Sequence, residues 1–235
     1  MQFQPKRCVY NDKLKLHYGP VYQGQYGQYP VVTYQDRPLI TNYLERLETL
    51  LHRVIQLNSR TLAIRIDLRF PLHYQLTQEV DQSNEVMTRF FRYLNNELQS
   101  AGTKYSTQLH YAWSREKHNS TKPHYHLLML LNGDAFNSLG DMHSSPSGYY
   151  DKANLYHRIV RSWAKAIHWP LDQMEGLVHV PQDRVLRQLF VRHLHRHDNA
   201  AFQEVFFAGS YLCKEYSKEL NRSFATFTTS RVQGG

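Results

Sequence analysis

The densest chemical signal in the 235-residue chain is Lys122-Pro123-His124-Tyr125-His126, followed by the apolar run Leu127-Leu128-Met129-Leu130-Leu131 and Asn132. On a strand, residues i and i+2 face the same way, so His124 and His126 set two imidazoles side by side. A run that is apolar on both faces belongs to a buried central strand. Such a strand is a rigid mount for a site. A second strand is expected just before it, over residues 107–116, with a loop at 117–122. If that hairpin is symmetric about its loop, Glu116 lies opposite His124 and Ser114 opposite His126, with Cβ atoms about 5 Å apart. Two imidazoles and one carboxylate with open positions suit Mn²⁺, Mg²⁺ or another divalent ion of intermediate hardness. Asp67 is the rival third ligand. It sits on the polar side of an earlier strand between Arg65 and Arg69, where an ion pair with those arginines is its alternative role. The alternative for the two histidines is a pair of hydrogen-bonded core side chains.

A second cluster is Gly209-Ser210-Tyr211-Leu212-Cys213-Lys214-Glu215-Tyr216-Ser217-Lys218. On a helix over residues 200–220, Lys214, Glu215 and Lys218 fall within about 60° of Tyr211. Phe202, Val205, Phe206, Leu212, Cys213, Tyr216 and Leu220 gather on the opposite, core face, while Phe207 falls off-pattern on the polar side. A free phenol, with a pKa of about 10, is a poor nucleophile at neutral pH. A nearby ammonium such as Lys214 stabilises the phenolate and the charge that builds on a phosphate under attack. This placement ranks Tyr211 above Tyr216 as a nucleophile. The alternative is an ordinary amphipathic helix with solvated lysines. A further His-hydrophobic-His run, His193-Leu194-His195, followed by Arg196 and His197, ends a helical pattern (Val185, Leu186, Leu189, Phe190, Leu194). On a helix, i and i+2 do not face each other, so it reads as a basic helix end able to touch phosphate.

These residues need a scaffold. Apolar spacing predicts helices over residues 40–58, 81–100, 152–167, 183–195 and 200–220, and strands over 62–70, 107–116, 123–131, 177–180 and 223–229. Hairpins mixed with helices indicate an α+β fold, a ferredoxin-like (RRM-like) central antiparallel sheet packed with helices. Residues 1–38, rich in Tyr, Gln, Gly and Pro, read as an extended N-terminal arm, and 39–235 as one domain.

Composition narrows the class. A net charge of +8 favours a polyanionic partner, nucleic acid first. Arg65, Arg69, Lys117, Lys122, Lys218 and the basic residues between Arg184 and Arg196 are candidates to hold phosphate, and Tyr and Trp side chains to stack unpaired bases. Two cysteines, Cys8 and Cys213, make no disulfide framework and fit a reducing, cytoplasmic setting. The first ten residues lack the apolar core of a secretory signal, and no run is long enough to span a membrane.

The two clusters, in this order, resemble those of His-hydrophobic-His (HUH) endonucleases. Pro123-His124-Tyr125-His126 resembles their metal motif and Tyr211-Leu212-Cys213-Lys214 their Tyr-x-x-Lys motif. Residues 113–116, 123–132 and 210–218, with Arg222-Ser223-Phe224, are similar to YagK/YfjJ-type proteins and to replication proteins of filamentous phages. The resemblance implies metal ligation by His124 and His126, a Tyr211 nucleophile assisted by Lys214, and an acidic ligand at Glu116. It implies nicking of single-stranded origin DNA to start rolling-circle replication, with Mn²⁺ or Mg²⁺ as cofactor and host replication proteins as possible partners. Glu215 stands where some phage initiators carry a second catalytic tyrosine, which points to a single-tyrosine enzyme. No GxxxxGK[ST] segment supplies a fused helicase. A non-catalytic DNA-binding regulator and a metal-dependent hydrolase that needs no Tyr211 are the competing classes.

Overall fold

The structure is a computed structural model that describes residues 6–117, 120–183 and 187–232. The chain opens with short strands β1 (Arg7–Cys8), β2 (Asn11–His17), β3 (Val21–Gln23), β4 (Gln28–Pro30) and β5 (Leu39–Ile40). Then come α1 (Thr41–Leu57), β6 (Arg60–Leu68), α2 (Gln78–Gln82), α3 (Glu85–Gln99), β7 (His110–Glu116), β8 (His124–Asn132) and α4 (Leu155–Ile167). The chain closes with β9 (Val178–His179), β10 (Val191–His195), α5 (Asn199–Ser210) and β11 (Phe227–Thr229). The architecture is mixed α+β.

One six-stranded sheet organises the molecule, in the order β10-β6-β8-β7-β11, with β9 beside the far end of β6. Every pair is antiparallel. The apolar run of β8 is buried on both faces, as its composition requires. On one face Leu62, Ile64, Ile66, Leu127, Met129 and Leu131 pack against Phe90 and Leu94 of α3 and Ile159 and Trp163 of α4. On the other, Ala63, Ala112, Leu128 and Leu130 pack against Leu44 and Leu47 of α1 and Val205 and Phe206 of α5. The period of two puts His124 and His126 on this second face, in line with Leu128 and Leu130. Small side chains there let the helices approach closely. A Cβ on Gly209 would stand 3.0 Å from Leu47 Cδ2 and 3.1 Å from Leu128 Cδ2. Glycine therefore lets the end of α5 settle onto the sheet and delivers Tyr211 beside the histidines.

Residues 6–38 are built into the fold through this same core. Tyr22 and Tyr29 are buried and stack on Phe206 with centroids 6.0 and 4.4 Å away. The buried Glu48 carboxylate of α1 accepts the Gln25 and Tyr26 amides at 3.0 and 2.9 Å. Tyr29 and His52 share a 2.8 Å hydrogen bond. The first five residues of the expected arm lie outside the described residues.

Three expected elements need correction. The helix expected over 183–195 is, from Val191 to His195, the edge strand β10, paired with Arg60–Ile64 of β6. Leu189, Phe190 and Leu194 fit a helical stripe, but the outer edge of β6 carries backbone groups that must be paired, and that need prevails. Arg184, Val185 and Leu186 lie outside the described residues. The helix expected over 200–220 stops at Ser210, and Tyr211–Cys213 forms a single 3-10 turn. The expected 81–100 helix is divided at Ser83–Asn84 into α2 and α3.

Candidate metal and nucleophile site

The β7–β8 ladder pairs Glu116 with His124 and Ser114 with His126, the register of a symmetric hairpin. Glu116, His124 and His126 each offer a ligand atom, all within 4.8 Å of one another. Glu116 Oε2 lies 3.3 Å from His126 Nε2 and 3.9 Å from His124 Nε2. Burial, reinforced by the neighbouring His126, lowers the His124 ring to about 4, so its lone pair is available at neutral pH. Among the described residues this is the one such group of three.

Asp67 is not in that group of three. It pairs with Arg65 at 3.6 Å and takes a 2.5 Å hydrogen bond from His126 Nδ1, standing behind that ring. Burial alone would raise the Asp67 carboxyl; the His126 and His179 hydrogen bonds and the Arg65 charge outweigh it and hold the group ionised. A carboxylate at Nδ1 fixes the proton there and leaves the Nε2 lone pair aimed at Glu116. His126 Nε2 is buried and has no hydrogen-bond partner. Two acceptors thus face each other across 3.3 Å, an arrangement that a bound cation relieves. That orphaned nitrogen is the structural fit of this site to a metal. His179 of β9, 3.6 Å from the second Asp67 oxygen, completes the support. Sequence reasoning missed it, because β9 reaches Asp67 only through sheet pairing.

Tyr211 closes the site from the α5 side. Its ring meets His126 edge-on, with centroids 5.1 Å apart at 84°. Lys214 Nζ sits 3.5 Å from the Tyr211 ring centroid and the Arg65 guanidinium 4.9 Å from it. The pairing of Tyr211 with Lys214 is present, but a helical face does not produce it. Lys214 and Lys218 leave the helix and turn inward, 3.0 and 3.5 Å from the two oxygens of Glu116, with side chains 4% and 0% exposed. A buried carboxylate demands cationic partners, and satisfying it overrides helix propensity. Burial works against the Lys214 charge, but Glu116 and a hydrogen bond with Tyr211 raise its pKa. For Glu116, burial pushes upward while the Lys218 and Lys214 charges hold it well below the usual carboxylate range. Arg65, Lys214 and Lys218 outnumber Asp67 and Glu116 in this cluster of charges.

The remaining basic candidates divide. Lys218 is buried against Glu116 rather than solvated. Arg65 is buried too, donating to the Ala208 carbonyl at 2.7 Å and lying under Tyr211. Lys117 pairs with Asp81 at 2.5 Å, and Lys122 donates to the Pro71 and Leu72 carbonyls. Arg69 is exposed. Arg196 caps α1 through the Ile55 and Gln56 carbonyls, both at 3.0 Å. His193 and His195 share one face of β10 after all, exposed and with no third ligand among the described residues. Tyr216, expected in the core, is half-buried and stacks on Tyr34 at 5.7 Å.

Residues 23–230 match the YagK/YfjJ C-terminal domain family. The chain belongs to that family. It is 27% identical over 174 residues to the uncharacterized protein YagK of Escherichia coli K12, covering 69% of this chain and 76% of the relative. It is 26% identical over 162 residues to the uncharacterized protein YfjJ of the same strain, covering 60% and 72%. No solved structure matches it significantly. The family span contains all three candidate ligands, Tyr211 and both lysines. Among the described residues no helix is long and apolar enough to cross a membrane.

Proposed function

We propose that the protein is a metal-assisted, tyrosine-dependent nickase of single-stranded DNA, of the HUH type, acting as a rolling-circle initiator. The observation that carries this is the placement of Tyr211, edge-on to His126 at 5.1 Å and under Lys214 at 3.5 Å, beside a His/His/Glu cluster with an orphaned imidazole nitrogen. The run β6-α3-β7-β8-α4-β9, with sheet order β9-β6-β8-β7 and both helices packed on one face, supports a ferredoxin-like split βαβ core.

His124, His126 and Glu116 would hold the ion, with Asp67 fixing the His126 tautomer. When bound, a divalent cation there supplies Lewis-acid polarisation of a phosphate oxygen. Tyr211 Oη attacks the phosphorus of the scissile linkage. The P–O3′ bond breaks as the P–O(Tyr) bond forms, leaving a 5′-phosphotyrosyl link and a free 3′-OH. The phenol loses its proton and the departing oxygen gains one. Lys214 would stabilise the phenolate and the charge on the phosphorane, and Arg65 and Lys214 both pack against the ring. The 3′-OH would prime a polymerase, and the covalent link conserves the bond for religation.

Incubation with labelled single-stranded oligonucleotides and Mn²⁺ should yield a detergent- and heat-stable protein–DNA band, with Tyr211 as the modified residue by peptide mapping. Tyr211→Phe should form none, and Lys214→Ala should form it more slowly. An adduct mapping to another tyrosine refutes the assignment of the nucleophile. DNA binding without any adduct favours the regulator.

A further inference from the structure

The packing of rings and cations does not end at Tyr211. Tyr216 lies 5.3 Å from the same Lys214 ammonium, and its ring stacks on Tyr34 at 5.7 Å and 18°. The Arg37 guanidinium stands 4.4 Å from the Tyr216 centroid and 5.8 Å from that of Tyr34. Rings and cations therefore alternate outward from the site: Tyr211, Lys214, Tyr216, Arg37, Tyr34. Two backbone contacts hold the two ends of this ladder together. Leu39 bridges Lys214, and the Glu215 amide donates to the Pro38 carbonyl at 3.2 Å.

The outer end is a tight turn in an unfavourable conformation. Gln35 and Asp36 both adopt left-handed backbone, with φ of 46° and 56°, between the bridged pair Tyr34 and Arg37. Neither residue is glycine, so this turn is strained. The strain serves to put Tyr34 and Arg37 on one side, against Tyr216. Tyr34 nonetheless remains 43% exposed. It opens onto a cleft of about 300 Å³ whose wall includes His17, Tyr18, Asp36 and Arg37. That is the small end of the ~300–1,000 Å³ range of ligand pockets. Tyr18 is 47% exposed, and the ring nitrogen Nε2 of His17 is buried with no hydrogen-bond partner.

We infer that Tyr34, Arg37 and Tyr216, with the cleft beside them, form a stacking subsite for an unpaired nucleobase of the strand whose phosphate is presented to Tyr211. The inference rests on the single-strand DNA reading and adds the residues that grip the strand. An aromatic face supplies stacking that any base can use. Arg37 supplies a cation for the adjoining phosphate, and its planar group also packs on rings. The exposed Asp36 carboxylate offers a hydrogen-bond acceptor to a base edge.

The test is binding of a single-stranded oligonucleotide carrying 2-aminopurine at successive positions, read by fluorescence quenching and by titration. Wild-type protein should quench the probe most strongly at one or two adjoining positions. Tyr34→Ala should weaken binding about fivefold to a hundredfold, the range for loss of one base–aromatic stack, and abolish the local quench. Arg37→Ala should weaken it and reduce its salt dependence. Tyr34→Trp should restore both signals, which rules out a general loss of structure. Tyr105→Ala, which removes a tyrosine of similar exposure at 48%, serves as the control for nonspecific loss. Oligonucleotide binding that is the same in wild type, Tyr34→Ala and Arg37→Ala overturns the subsite and leaves the nickase reading intact. Absence of any binding to single strands by the wild type overturns both.

Discussion

Glu116 should be critical to the stability of the fold, for a reason separate from metal binding. Its carboxylate is the shared partner of two buried ammoniums, with side-chain exposures of 3% for Glu116, 4% for Lys214 and 0% for Lys218. Removing one partner of a buried ion pair typically costs about 3–5 kcal/mol, because the charge left behind has neither water nor a counterion. For a chain of this size each kcal/mol is worth roughly 2–4 °C, so Glu116→Ala should lower Tm by roughly 6–20 °C. The assay is thermal unfolding by circular dichroism in EDTA, which keeps metal out of the comparison. Adding Lys218→Met removes the more deeply buried of the stranded charges and should restore about half of the loss. Under saturating Mn²⁺, at about 100 times Kd, the wild type should gain roughly 2.7 kcal/mol and Glu116→Ala should gain little. A Glu116→Ala variant that melts within about 2 °C of wild type, below the ~6 °C floor of that range, would refute the reasoning. So would a double variant no more stable than the single one.

Asp67→Asn should weaken Mn²⁺ binding by roughly 10–100-fold, as loss of a carboxylate behind a ligating histidine generally does; unchanged affinity by calorimetry would remove Asp67 from the site. Acid should destabilise the fold in two stages. Burial lowers the His110 ring below its ordinary value, so its contribution is complete above the unfolded pKa of about 6.5 and is lost as pH falls toward the folded value. Burial raises Glu97, but the Arg161 hydrogen bond and charge and then Lys165 outweigh it, and the net shift is downward. Its contribution is therefore lost only below about pH 4.3. Tm measured in EDTA should be flat above about pH 7 and fall below about 6.5, and His110→Leu should reduce the first decline without removing it, because burial also lowers the rings of His17, His52 and His124. A Tm that rises on acidification from 7 to 5 would contradict this sign.

How much was legible in the sequence depends on whether a residue's role followed from local geometry. His124, His126 and Glu116 share a face because strands repeat every two residues and a hairpin opposes its arms symmetrically, and both rules act within residues 107–131. The apolar run of β8 announced a central strand in the same way. The Tyr211–Lys214 pair was found by the wrong route. A helical face predicted Lys214 and Lys218 on the polar side beside Tyr211, whereas the helix ends at Ser210 and both lysines point inward to Glu116. The charge demand of a carboxylate about a hundred residues away in sequence leaves no mark on the local pattern.

The period-two and hairpin rules, set by backbone geometry alone, made the clustering of Glu116, His124 and His126, the central strand and the mixed α+β class readable from residue order. The partners of those groups were decided by packing. Asp67 stands behind His126 because β6 pairs with β8 in one register, and His179 reaches Asp67 because β9 joins the same strand. Val191–His195 is a strand rather than a helix because β6 had an edge to fill. Tyr34 and Arg37 meet Tyr216 because the N-terminal segment buries Tyr22 and Tyr29 against α5. Each of these contacts offsets a cost, an unpaired edge, a lone buried charge or exposed apolar surface, that arises only once the chain is compact.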